Sequence, residues 1–153
     1  MSPGKAIEAK TKSTVSNPMI LFLRALCLIV IASMLWVTSW ASLQCPLFAV
    51  PRSVFTHPWF IATMFDAYWG FTTFFVWVCY KQTSWLARLA WFLAIMLLGN
   101  IAMSAYCLSE LLRTSRHGRL AEVLTVRREG PGALGIALAL SGVAVVALGW
   151  PRP

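Results

Sequence analysis

The stretch HPWFIATMFDAYWGFTTFFVWVCYK, residues 57–81, decides the fold. It opens on His57-Pro58, closes on Tyr80-Lys81, and carries a single acid, Asp66, near its middle. A helix needs about 17–25 apolar residues to cross the hydrocarbon core of a bilayer, and this run has them. A carboxyl group at that depth is costly to keep, so it asks for a partner or a purpose.

Working outward, three more runs of similar character appear at 25–43, 89–109 and 130–151, separated by short clusters of charge. The hydrophobic class makes up 59% of the 153 residues, against about 45–50% in a soluble domain. Long continuous apolar runs exclude a membrane barrel, which alternates apolar and polar residues. The expected fold class is therefore all-α: a polytopic membrane protein, a small bundle of four transmembrane helices at about 19–43, 58–81, 85–112 and 132–150. Residues 1–18 read as a mobile polar tail, 19–153 as one membrane domain, and 113–129 as an Arg-rich loop with a short amphipathic helix around Leu120, Val123 and Leu124. Asn17-Pro18 is a start signal for the first helix. Its apolar core exceeds the 7–15 residues of a cleaved signal, so it reads as an uncleaved span.

The net charge of +8 does not indicate nucleic acid, because the basic residues flank apolar runs as topology signals do. Placing those residues on a four-span chain gives seven on the side of the termini and six on the other, which settles no orientation. The flanks of the first helix favour a cytoplasmic N-terminus. The expected localisation is integral membrane and multi-pass, the plasma membrane in a prokaryote.

No cofactor or metal site is expected. The four cysteines have no CxxC spacing, and His57 and His117 read as solvated loop residues. Cys45 and Cys107 would lie near one membrane face, but spacing alone does not establish a disulfide. No nucleophile or phosphate-binding motif stands in a suitable setting. Of eight tryptophans, Trp40, Trp59, Trp85 and Trp150 read as interface anchors, and Trp36, Trp69, Trp77 and Trp91 as packing groups. In the last helix Gly135, Ala139 and Gly142 make a small-residue face suited to close helix packing, within the chain or in self-association.

Within 57–81, Trp59, Thr63, Asp66, Gly70, Thr73, Trp77 and Tyr80 recur at steps of three and four and share one helical face. That face should point into the bundle. If the second and third helices form a hairpin turning near Thr83, Asp66 and Asn100 lie at equal depth. The expected polar site is an Asp66–Asn100 hydrogen bond, with Thr63 and Thr73 on the same face and Thr38 and Ser39 from the first helix nearby. It serves either to fix helix register or to carry a proton, cation or polar substrate.

Pro58-Trp59, Ala62-Thr63, Asp66, Tyr68, Trp77-Val78, Tyr80-Lys81, Trp85, Gly99 and Tyr106 resemble the uncharacterised plant-type membrane family called domain of unknown function 1475. The weaker run Leu120, Val123-Leu124 resembles the segment after its last shared helix. The likeness covers the first three helices and the following loop. Gln82 departs from the Glu often found there, and Asn100 from a smaller polar residue. The resemblance implies a shared fold and brings no activity. The function expected from the residues is a non-enzymatic accessory or packing subunit of a membrane complex. A small transporter or proton-linked carrier using Asp66 is the alternative. A membrane-embedded enzyme acting on lipid or quinone has the least support.

Overall fold

The computed structural model describes residues 18–114, 120–127 and 132–149. The N-terminal tail, the His117-Gly118 break and Trp150 lie outside them. The described chain is all-helical: α1 Pro18–Gln44, a 3-10 turn Leu47–Ala49, α2 Arg52–Phe55, α3 Pro58–Lys81, α4 Trp85–Leu98, α5 Asn100–Arg113, α6 Leu120–Thr125 and α7 Gly132–Gly149. Proline fixes the first turn of α1 and of α3, where its missing N–H is not needed. The chain leaves α3 in an extended conformation at Gln82, whose N–H still bonds the Val78 carbonyl at 2.9 Å.

α1 and α7 are long and apolar enough to cross a membrane. α3 has the length, 24 residues, but Asp66, its threonines and its many Trp and Tyr rings leave it less apolar. The expected third helix, 85–112, is not one helix. It is α4 and α5, 14 residues each, joined by Gly99 alone. Gly99 has φ +52° and ψ −124°, a conformation that L side chains rarely adopt. The helical ladder survives on both sides: the Gly99 N–H bonds Ile95 and its carbonyl accepts from Met103.

At this residue the chain reverses. Trp91 of α4 packs edge-on against Tyr106 of α5, with centroids 4.9 Å apart, and Lys81 and Gln82 before α4 meet Glu110 and Tyr106. α4 and α5 are thus an antiparallel pair with its tip at Gly99, and the tip rests on Phe71 of α3. The turn between α3 and α4 falls at 82–84, as expected. The remaining helices clasp this hairpin. α3 runs down one side of α4, pairing Phe75 with Phe92 at 5.0 Å. α7 runs parallel to α4 on another side, and α1 runs antiparallel to α5.

The core sits inside this arrangement. Trp91, Tyr106, Val78, Ala94, Ile95, Ala102 and Ala139 form its main cluster. A second cluster, Ile20, Cys27, Leu111 and Val123, joins α1, α5 and α6. α7 uses its small residues as expected. A Cβ on Gly135 would stand 2.9 Å from the Trp91 indole nitrogen, and one on Gly142 would stand 2.8 Å from Leu97 Cβ. Two tryptophans expected to pack do not: Trp36 and Trp69 are 76% and 66% exposed, because the hairpin ends below them. The four cysteines are free thiols. Cys45 stands at the far end, while Cys107 packs with Cys27 nearer the other end.

Gly99→Ala should destabilise the fold by about 1–3 kcal/mol through backbone strain alone, and its Cβ would also stand 2.7 Å from Phe71 Cζ. Gly70, with nothing within 4 Å of its Cβ position, is the control. Thermal unfolding in detergent should show a lower midpoint for Gly99→Ala and an unchanged or higher one for Gly70→Ala.

Candidate functional site

The polar groups expected to converge on Asp66 do not. Asp66 is exposed and makes no hydrogen bond or ion pair with the described residues. Gly99 lies beside Phe71, so Asp66 stands five residues, roughly 7–8 Å, beyond the hairpin tip. A continuous third helix would have passed beside it; the reversal takes that backbone away. Asn100 is exposed on α5 and turned toward α1, where it lines a cavity of about 370 Å³ with Leu26, Cys27, Val30, Met103, Ser104 and Cys107. The expected hydroxyls are satisfied by their own helices: Thr63 donates to Trp59 O at 2.8 Å, Thr73 to Trp69 O at 2.9 Å and Thr38 to Met34 O at 2.6 Å. Ser39 is exposed on α1. The Asp66–Asn100 pair is therefore not formed, and the six residues are spread over three helices.

The buried polar site lies instead where the hairpin opens. Lys81 Nζ stands 2.7 Å from Glu110 Oε2, and both side chains are almost wholly buried. Two helical elements bring them together: Lys81 closes α3, and Glu110 lies one turn before the end of α5, which has folded back to meet it. Lys81 also donates to the Val123 carbonyl of α6 at 2.6 Å, and Trp77 Nε1 donates to Leu124 O at 3.1 Å. The other carboxylate oxygen of Glu110 faces Arg113, one turn on, at 3.7 Å. Beneath the pair, Gln82 Nε2 donates to the Tyr106 hydroxyl at 3.1 Å. Tyr106 is ringed edge-on by Trp91, Trp77 and Phe74.

The electrostatic logic concerns helix ends. The last carbonyls of a helix lack intrahelical donors and carry a partial negative charge. Here three such ends converge. Arg24 of α1 reaches α5 and donates from Nη2 to Leu111 O and Thr114 O at 2.6 and 2.9 Å. Arg88 donates from Nε and Nη2 to Gln82 O, just beyond α3, at 3.0 and 2.8 Å. Lys81 and Trp77 serve the end of α6. Each cation thus caps an element other than its own or closes a turn, so the site braces α1, α3, α4, α5 and α6 against one another. Three buried polar atoms in and near it, Arg24 Nε, Gln82 Oε1 and Trp91 Nε1, have no hydrogen-bond partner among the described residues.

Sequence reasoning missed this site because Lys81 and Glu110 each read as a charge flanking an apolar run. The available signals were the Gly99-Asn100 dipeptide, a turn signal inside an apolar stretch, and an acid placed one turn before Arg113.

The family model described as protein of unknown function (DUF1475) matches residues 19–131, which spans α1 through α6 and stops short of α7. No curated protein and no solved structure matches the chain.

Removing one member of a buried ion pair leaves an uncompensated charge and costs about 3–5 kcal/mol. Lys81→Met and Glu110→Leu should each lower the unfolding midpoint sharply. The double variant should recover much of the loss, which a double-mutant cycle in detergent would measure as a coupling energy.

Proposed function

Because this chain belongs to the DUF1475 family, whose description assigns no activity, we propose its role from geometry: an integral membrane protein that holds a partner subunit rather than catalysing a reaction. The observation that carries this reading is the space beyond the hairpin tip. Every residue of α1 from Leu35 to Gln44 is exposed, and so are residues 61–66 and 68–70 of α3. Trp36, Trp40, Trp59, Phe65 and Trp69 stand there. Isolated exposed apolar residues need no explanation, but contiguous aromatic surface of this kind marks an interaction site or lipid. A full-length third helix would have filled the space; the half-length hairpin leaves it to another molecule. Met64, Phe65, Tyr68, Trp69 and Thr72 line an apolar groove of about 450 Å³ on this part of α3.

One observation favours a second reading, a small carrier. Asp66 lies three turns from Trp77 on the same face of α3. Trp77 packs on Tyr106 of α5, so Asp66 looks over the hairpin into the open space. Acids within membrane spans are rare and mark ion or proton paths.

Both readings require that the chain stay with membranes through alkaline carbonate washing. The partner-holding reading expects a stable complex on purification in mild detergent, lost when Trp59 and Trp69 are changed to Ala; a strictly monomeric protein would overturn it. The carrier reading expects proteoliposome flux that disappears in Asp66→Leu while a folded Thr63→Val variant keeps it.

A further inference from the structure

α4 and α5 are 14 residues each, about 21 Å of helix, against a hydrocarbon core of about 30 Å. Both outer ends of the hairpin lie at the Lys81–Glu110 pair, so it enters and leaves at one end of the bundle. The other long helices traverse the whole of it. α1 places Arg24 beside the end of α5 and continues to Gln44 at the far end. α3 returns from Pro58 to Lys81. α7 starts with Gly132 beside Ala87, near the hairpin's open end, and finishes with Gly149 beside Phe48, in the loop that follows α1.

This changes the charge balance. Among the described residues Arg24, Lys81, Arg88, Arg113 and Arg127 lie at the open end of the hairpin, and Arg52 alone lies at the other. By sequence, Lys5, Lys10 and Lys12 precede Pro18, Arg116 and Arg119 fall between Thr114 and Leu120, and Arg128 follows Arg127. Arg152 follows Gly149. The near-tie of the four-span count becomes five against one among the described residues, and eleven against two when each remaining basic residue is counted with its nearest described neighbour in sequence. A short helical pair that ends inside the bilayer is tolerated where protein covers it, and α1, α3 and α7 cover this one.

Taking the membrane reading above as footing, we propose that α4–α5 is a re-entrant hairpin and that α1, α3 and α7 make three crossings. The basic end, braced inside by Arg24 and the buried Lys81–Glu110 pair, is then the cytoplasmic face. The loop after α5 is cytoplasmic, where a four-span chain would place it outside.

The test labels right-side-out membrane vesicles with a membrane-impermeant maleimide and locates the label by peptide mass. Native Cys45, exposed at the far end, is one reporter. Ala121→Cys, at an exposed position of α6, is the other; Thr125→Cys, also exposed, replaces it if that variant does not fold. Cys45 should label in intact vesicles, and the thiol at position 121 only after permeabilisation. Labelling of both in intact vesicles would show that α4–α5 crosses, and would overturn the proposal while leaving the membrane reading intact. Labelling of position 121 alone would overturn the orientation. Release of the protein by carbonate would instead remove the membrane reading itself.

Discussion

The reversal at Gly99 is the constraint on which the rest of the structure depends. One residue with φ +52° turns an apolar run into two antiparallel half-length helices. Tyr106 reaches Trp91, Glu110 reaches Lys81, and Arg24 finds the carbonyls at the end of α5 only because the chain comes back. The same turn denies a neighbour to the far half of α3, which is why Trp59, Asp66 and Trp69 are exposed. Phe71 lies where any side chain at position 99 would have to go, so conformation and packing select glycine independently.

The opposite end of the hairpin is closed by charge. Buried ion pairs are poor sources of net stability, since desolvation offsets much of the attraction. The Lys81–Glu110 pair gains from context. Its ammonium also meets a helix-end carbonyl, and its carboxylate also faces Arg113. Arg24 and Arg88 repeat the pattern at neighbouring carbonyls. Charge-assisted bonds to carbonyls that would otherwise be orphaned give direction as well as energy. Five helices are thereby set against one another by groups whose positions in the chain lie far apart.

That separation governs what the sequence discloses. The starts at Pro18 and Pro58, the turn at 82–84, the short helix around Val123 and the small face of α7 are local, and each is readable from neighbouring residues. The inward side of α3 is not the expected one: Val78 is buried and Phe71, Phe74 and Phe75 pack on the core beside Trp77, while Gly70, Thr73 and Tyr80 are exposed. Gly99 is harder. A lone glycine is common within apolar helices, and the hydrophobic pattern continues across it, so nothing periodic announces a reversal. Once the turn is missed, depth is counted in the wrong direction and Asn100 lands beside Asp66. Lys81 and Glu110, 29 positions apart in sequence, then seem to lie at opposite faces of the bundle.

α7 lies wholly beyond the stretch that carries the family pattern, yet it packs more extensively than any other helix on α4. Its glycines admit the Trp91 indole and the Leu97 side chain to backbone contact. Residues 19–131 alone would leave a seam open along α4, and α7 fills it. The helix that closes α4 is thus carried in cis, by the same chain that builds the hairpin.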